Sequence, residues 1–148
     1  MWSNDLKDEG VSAICEAIQS NKETKLASLN FENNGIGPVG ANAVAAMVAV
    51  TGSLTSIDLS INALTNYGGD MTGIKQLAAA LGVNGSLTSI DLSSNQLCGL
   101  NWEGKGNYTT VGIAAIADAL RANGSLTKMW YVSPQTSKNW AHPLDPRS

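Results

Sequence analysis

The nine residues Gly52–Ser60, GSLTSIDLS, recur without a change at Gly85–Ser93, and a diverged copy, GSLTKMWYV, begins at Gly124. Segments that repeat at such a spacing indicate a repeat architecture, in which each unit is one supersecondary element packed on its neighbours. Within the stretch, Ile57 and Leu59 alternate with Ser, Asp and Ser, which predicts a short strand with one buried face.

The units that contain these strands begin at Leu26, Leu54, Leu87 and Leu126, so they are 28, 33 and 39 residues long. Each unit has a glycine at the start of its predicted helix: Gly40, Gly73 and Gly112. The first leucine of the next unit always follows this glycine by 14 residues. The 5 and 11 extra residues therefore lie in one loop, between strand and helix. Inserts on one side of a constant frame are expected of a solenoid.

Apolar residues at positions i, i+3, i+4 and i+7 predict a half-buried helix in each unit. The sets are Val11, Ile14, Cys15 and Ile18; Ile74, Leu77, Ala78 and Leu81; and Ile113, Ile116, Ala117 and Leu120. The pairs Asn84-Gly85 and Asn123-Gly124 follow two of these helices. We expect the glycines to end the helices by adopting the left-handed conformation.

The units match L-x-x-L-x-L-x-x-N-x-L, then a glycine and two apolar helix positions, over residues 4–132. This pattern resembles the ribonuclease-inhibitor type of leucine-rich repeat. The resemblance implies an α/β fold: a right-handed β-α leucine-rich-repeat solenoid with a parallel β-sheet on the concave face and helices on the convex face. It also implies a ladder of asparagines that bind backbone between coils, here Asn34, Asn62 and Asn95, and by its spacing Asn4.

We assign residues 1–132 to the solenoid, as a partial first repeat, three full repeats and a final strand, and 133–148 to a tail or cap. The spacing from Asn4 places Met1 inside a strand, and Pro134 stands where the next ladder asparagine is due. Open solenoid ends expose apolar surface and strand edges. We therefore expect either a piece of a longer array or self-association through uncapped ends.

Composition excludes several classes of function. The net charge is −3, whereas nucleic-acid binding needs clustered Lys and Arg. No apolar run approaches the ~20 residues of a membrane-spanning helix, and the N-terminus is too polar for a secretory signal. Two cysteines do not make a disulfide framework, so we expect a reducing, cytoplasmic setting.

Two glycine-rich loops approach phosphate-binding motifs. Gly35–Gly40, GIGPVG, fits the dinucleotide pattern, with Asp58 18 residues after Gly40, but Ile36 and Gly40 are repeat positions. Gly99–Gly106, GLNWEGKG, fits the P-loop pattern except that Gly106 replaces the magnesium-binding hydroxyl, and the helix begins too late, near Val111. We interpret the first as a repeat loop and the second as a flexible insert, and predict no cofactor.

No catalytic or metal site is predicted. His142, the single histidine, has no partner set for a triad or a metal cluster. Cys15 aligns with Ala45, Ala78 and Ala117 and is expected to pack in the core, whereas Cys98 opens an insert and could be exposed. The sequons at Asn84, Asn107 and Asn123 carry no assignment, since two of them coincide with helix ends.

The concave face is the first candidate for partner binding. Alternation points Asn30 and Glu32 outward on the first full strand, Asp58 and Asp91 on the next two, and Lys128 and Trp130 on the last. Stacking would align Asn30, Asp58, Asp91 and Trp130 in one row, whose carboxylates repel until a basic partner neutralises them. The competing interpretation is a solvated sheet face.

The second candidate is the rim made by the inserts, which carries Tyr67, Trp102 and Tyr108 on glycine-rich loops. Exposed aromatic side chains on adaptable loops suit protein recognition. The alternative is that Trp102 folds back over the apolar residues of its own loop.

These features predict a non-enzymatic module that binds a protein or peptide through its concave face and insert rim. The resemblance supports this prediction, since repeats of this type commonly serve as protein-binding scaffolds. Two alternatives are a structural subunit of a larger repeat array or assembly, and a GTPase regulator, because a GTPase-activating family shares this repeat type.

Overall fold

The fold alternates helices and strands along the chain. The computed structural model describes residues 4–101 and 103–131, together with the backbone of residues 142 and 143. The elements are α1 (Lys7–Ser20), β1 (Ser28–Asn30), α2 (Pro38–Val50), β2 (Ser56–Asp58), α3 (Thr72–Val83), β3 (Ser89–Asp91), α4 (Val111–Ala122), β4 (Lys128–Tyr131) and β5 (His142–Pro143). The predicted α/β solenoid is confirmed.

The strands form one sheet in the order β1-β2-β3-β4-β5. The first four are parallel, and each repeat aligns with the next without a slip, so Leu29 pairs with Ile57, Ile57 with Ile90, and Ile90 with Met129. β5 is antiparallel to β4. It contributes the only described residues of the predicted tail, and the predicted boundary at residue 132 lies outside the described residues, as does Met1.

The core lies between the sheet and the helices. Ile57, Leu59, Ile90 and Leu92 are at most 1% exposed, because the period of two turns them all to the helix side. The asparagine ladder is also confirmed at three positions, Asn34, Asn62 and Asn95, which are all buried.

Asn62 illustrates the ladder. Its Oδ1 accepts hydrogen bonds from the Asn34 and Ile36 N–H groups of the previous coil, and its Nδ2 donates to the carbonyl oxygens of Phe31 and Leu59. One buried side chain thus satisfies backbone groups of two coils. At the first coil, the Asn4 N–H donates to Asn34 Oδ1 in the same way.

The serine and threonine of the repeated stretch add two further ladders. The Ser86 hydroxyl donates to the Leu54 carbonyl oxygen at 2.8 Å, and Ser53 and Ser125 make the equivalent bond to the previous coil. The Thr88 hydroxyl donates to the Thr55 carbonyl oxygen, and the Thr127 hydroxyl to Thr88. The serine and the threonine of GSLT thus bind the previous coil in the same way in each copy.

The predicted role of glycine at the helix ends is wrong. Neither Gly85 nor Gly124 adopts a left-handed conformation. The preceding asparagine ends the helix instead: Asn84 Oδ1 accepts from the Ser86 and Leu87 N–H groups, while its Nδ2 donates to the Val48 carbonyl oxygen one coil earlier. Asn123 repeats this arrangement, so the helix ends carry a second asparagine ladder.

Gly73 at the start of α3 lets this helix approach α2 closely. A Cβ on Gly73 would lie 2.6 Å from the Pro38 carbonyl oxygen and 2.7 Å from Ala41 Cβ, so α3 could not keep this distance from α2 with a larger residue. The predicted apolar stripe of α3 is fully buried between its two neighbours. In α1 and α4, Ile14, Ile18, Ile113 and Leu120 are only partly buried.

Candidate functional site

The predicted row on the concave face is present. The strand register pairs Asn30 with Asp58, Asp58 with Asp91, and Asp91 with Trp130. Adjacent strands lie about 4.8 Å apart, so successive side chains of this row are near neighbours. The structure therefore brings these four predicted residues together.

The two aspartates of the row also stabilise the backbone. Asp58 Oδ1 accepts hydrogen bonds from the N–H and hydroxyl groups of Ser60, at 2.9 and 2.7 Å. Asp91 makes the same pair of bonds with Ser93, and Asn30 Oδ1 accepts from the Glu32 N–H at 2.9 Å. The strand alternation predicts an outward Ser60, but this residue is only 6% exposed.

One oxygen of each carboxylate has no hydrogen bond to the described part of the chain. Among those residues, no salt bridge involves Glu32, Asp58 or Asp91, although other carboxylates pair with Lys7, Lys105 and Arg121. Glu32, Asp58, Asp91 and Trp130 are half-buried, and Lys128 is exposed in the neighbouring row beside Ser89. The face thus carries unneutralised negative charge over its first three strands.

The inserts pack on one another and form the predicted rim. A Cβ on Gly68 would lie 2.5 Å from Gly99 Cα and 3.0 Å from the Asn107 carbonyl oxygen, so the inserts of the second and third repeats are in direct contact. Tyr67 and Tyr108, which adjoin these contacts, are 55% and 66% exposed. Trp102, the third predicted rim residue, lies outside the described residues.

A cavity of about 150 Å³ lies beside Tyr108, lined also by Cys98, Ile113 and Tyr131. Small-molecule sites typically have volumes of about 300–1,000 Å³. The cavity is too small for such a ligand, and it suits a single apolar side chain. Cys98 contributes to its wall and is 8% exposed, so the prediction that this cysteine could be exposed is wrong.

The dinucleotide-like loop already holds an anion from the chain itself. Asp8 Oδ1 accepts hydrogen bonds from the Gly37 and Gly40 N–H groups, at 2.7 and 2.8 Å. These donors begin α2, where a phosphate would bind in a dinucleotide site. The carboxylate of α1 therefore caps the next helix, and the interpretation of this motif as a repeat loop is supported.

The P-loop-like segment is a hairpin. Leu100 pairs with Gly106, Asn101 Oδ1 accepts from the Glu103 and Lys105 N–H groups, and Lys105 Nζ lies 2.8 Å from Glu103. The backbone donors and the lysine that would hold a phosphate are thus engaged within the loop. The helix begins at Val111, as predicted.

Cys15 and His142 are the remaining titratable candidates from the sequence. Cys15 is fully buried, and this burial, followed by the Glu16 carboxylate, raises the pKa of its thiol to about 12. The backbone of His142 pairs with Tyr131, and the position of its side chain lies outside the description. The described residues contain no group of three or more His, Cys, Asp or Glu that could hold a metal ion.

None of the described helices has the length and apolar character needed to cross a membrane. Of the three sequons, Asn84 is buried with its amide engaged, Asn123 is half-buried and Asn107 is exposed.

Three residues that matter to the fold or surface were missed by sequence reasoning. Asp8 caps a neighbouring helix, and Asn84 binds across coils, although the Asn-Gly-Ser triplet that recurs at both helix ends was a signal for it. Ile61 has a positive φ of 55° and is 49% exposed. The sequence marks Ile61 as unusual because the equivalent residues, Asn33 and Ser94, are polar.

Comparisons with known proteins agree with this architecture. A family model described as Leucine Rich repeat matches residues 3–15 and 22–45, and a second, Leucine Rich Repeat, matches residues 86–107. A solved structure titled Leiomodin-1 Actin-Binding Site 2 superposes with a TM-score of 0.70 and 22% sequence identity, over 90% of this chain and 70% of that one. No curated protein matches the sequence. Parts of the chain thus match leucine-rich-repeat models, and the chain shares the fold of that solved structure.

Proposed function

We propose that this chain is a non-enzymatic protein-interaction module that binds its partner through the concave row and the insert rim. The observation that carries the proposal is the row Asn30-Asp58-Asp91-Trp130, which lies in register on one face and retains carboxylate oxygens with no bonding partner among the described residues. Two adjacent, unneutralised carboxylates favour a partner with lysine or arginine at the contact.

The rim supplies the apolar part of the surface. Tyr67 and Tyr108 expose more than half of their area on two inserts that contact each other. Tyrosine is frequent among the residues that contribute most to protein interfaces. Two tryptophans extend this aromatic character. Trp130 lies at the end of the row, and Trp102 belongs, by its sequence position, to the insert of the third repeat.

The repeat subtype is part of the same proposal. We infer the ribonuclease-inhibitor type, since α-helices of 12–13 residues separate the parallel strands. We also place the protein in the cytoplasm, where Cys15 and Cys98 would remain as the free thiols that the structure contains.

Monomeric actin is the first partner to test, because the similar solved structure is titled an actin-binding site. Binding is measured by fluorescence anisotropy of labelled actin against the chain, four surface variants and one control variant. Asp58→Asn, Asp91→Asn, Tyr67→Ser and Tyr108→Ser are each expected to weaken binding, whereas Val83→Ser on the convex side is not.

The asparagine variants are matched controls for folding. Asn30 shows that an asparagine in this row accepts the same backbone hydrogen bond, so Asp58→Asn removes the charge and keeps the turn. Actin binding that none of the four variants weakens would contradict the proposed surface. If the wild-type chain does not bind actin, actin is excluded as the partner.

The partly exposed apolar residues of α1 and α4 favour a second candidate, a structural subunit that stacks end to end. Helix faces of this kind are covered by the next coil in a longer solenoid. Sedimentation velocity over a range of concentrations distinguishes the two functions. A mass that stays that of the monomer throughout contradicts the stacking function.

A further inference from the structure

Ile61 occupies a backbone conformation that does not suit its side chain. Its φ is 55°, in the left-handed region, where a β-branched residue is a clear outlier. The equivalent residues of the neighbouring repeats, Asn33 and Ser94, have φ values of 52° and 56°. Each repeat therefore requires this conformation just before its ladder asparagine, but only the second repeat has a large apolar residue there.

Burial does not explain the isoleucine. Its side chain is 49% exposed, whereas the core residues next to it in sequence, such as Leu59 and Leu64, are completely buried. Asparagine at the same position tolerates the left-handed conformation better. An unfavourable conformation at an exposed apolar residue is expected to persist where the side chain has a function.

Ile61 lies next to the row on the concave face. Its N–H donates to the Ser93 carbonyl oxygen at 3.0 Å, so the residue continues the sheet ladder beyond the end of β2. Ser93 is held by Asp91, and Ser60, which precedes Ile61, is held by Asp58. The exposed isoleucine thus lies at the edge of the concave face, between the turns that the two carboxylates stabilise.

We propose that Ile61 is an apolar anchor of the binding surface and that the partner presents an apolar side chain flanked by lysine or arginine. This inference rests on the proposed function and specifies the chemistry of the partner. The unneutralised carboxylates of Asp58 and Asp91 select the basic residues, and the exposed area of Ile61 takes the apolar side chain between them.

The test uses fluorescein-labelled peptides made of Lys-Lys-Leu, Lys-Lys-Ser or Glu-Glu-Leu repeats, titrated with the chain and followed by anisotropy. Wild type is expected to bind Lys-Lys-Leu about fivefold more tightly than Lys-Lys-Ser, the gain typical of one partly buried apolar side chain. The Glu-Glu-Leu peptide is expected not to bind.

Two variants separate the apolar contribution from the charged one. Ile61→Asn is expected to remove the preference for leucine, keep the binding of Lys-Lys-Ser, and leave the urea midpoint unchanged or higher. Asp58→Asn combined with Asp91→Asn is expected to weaken both basic peptides. Val83→Asn, which removes a valine that is 75% exposed on the other side, is the control for nonspecific apolar contact.

Equal binding of the Lys-Lys-Leu and Lys-Lys-Ser peptides, or a leucine preference that persists in Ile61→Asn, would overturn the anchor while the proposed concave surface stands. A lost preference accompanied by a lowered urea midpoint would also overturn it, since Ile61 would then serve the fold. If the aspartate variants bind both basic peptides as wild type does, the charge basis of the proposed function fails as well.

Discussion

The aspartate of each repeated stretch stabilises the backbone and also contributes a charge to the concave face. In both Asp58 and Asp91 one oxygen binds the backbone and side chain of the serine two residues later, while the other oxygen remains available to a partner. A mutation to asparagine can remove the charge and keep the hydrogen-bonded turn, because Asn30 forms the same turn without a charge.

Asp58→Ala should therefore lower the free energy of unfolding by about 1 kcal/mol, the usual cost of losing a hydrogen-bonded side-chain cap. Asp58→Asn should change it by less than about half of that, since its amide oxygen still accepts from the Ser60 N–H. Urea denaturation of both variants gives the comparison. Equal losses in the two variants would show that the charge, and not the turn, stabilises the strand end.

The stability of the chain should also depend on the thiol of Cys15. Burial first, and then Glu16, raises its pKa from 9.0 to about 12, so between these values the unfolded chain releases a proton that the native chain retains. Stability falls as the pH rises through this interval, and one pH unit above the lower value costs about 1.4 kcal/mol.

Cys15→Ala removes this dependence, and alanine already stands at the equivalent position in three other helices, as Ala45, Ala78 and Ala117. Urea midpoints at about pH 8 and about pH 10 should fall more for wild type than for the variant. The same decline in both proteins would mean that Cys15 titrates normally in the native state.

At the scale of elements, the ends of α3 and α4 depend on an asparagine and not on the glycine beside it. Asn84→Ala leaves the Val48 carbonyl and the Leu87 N–H without their partner, at a cost of about 2–3 kcal/mol. Gly85→Ala should change stability by about 0.5 kcal/mol or less, because no atom lies within 4 Å of the added Cβ. Thermal unfolding compares the two variants, and a larger loss for Gly85→Ala would restore the role predicted from sequence.

The two glycines of α3 should respond in opposite ways. Gly73→Ala places a methyl group 2.6 Å from a carbonyl oxygen of α2 and should cost about 1–3 kcal/mol. Gly82→Ala meets nothing closer than 3.9 Å, and it should stabilise the chain by up to about 1 kcal/mol through the helix preference of alanine. Urea titration of both variants tests this, and two losses of similar size would show that helix spacing does not depend on Gly73.

For the whole molecule, the architecture could be predicted from the sequence because equivalent residues occupy equivalent positions in every repeat. The constant 14-residue frame and the recurring Leu-Ile-Leu pattern fix strand register, so the row from Asn30 to Trp130 could be predicted from the repeat spacing alone. The buried asparagine ladder followed from the resemblance to a known repeat.

What could not be predicted depends on contacts between coils or on local backbone conformation. Asp8 reaches the next helix, Asn84 binds the preceding coil, and Cys98 is covered by its own insert. The contacts of Asp8 and Cys98 leave no periodic signal, whereas Asn84 has one in the recurring Asn-Gly-Ser triplet. The left-handed backbone of Ile61 was not evident from the residue itself, since isoleucine does not suggest it, and only the comparison with Asn33 and Ser94 indicates it.

The central claim is that the concave row and its edge, not the convex helices, form the binding surface. Amide chemical-shift mapping of the ¹⁵N-labelled chain, titrated with the Lys-Lys-Leu peptide, tests it most directly. We expect the largest changes at Asp58, Ile61, Asp91 and Trp130, with further changes at Tyr67 and Tyr108 on the rim. Changes confined to α2 and α3, with the row unaffected, would contradict it.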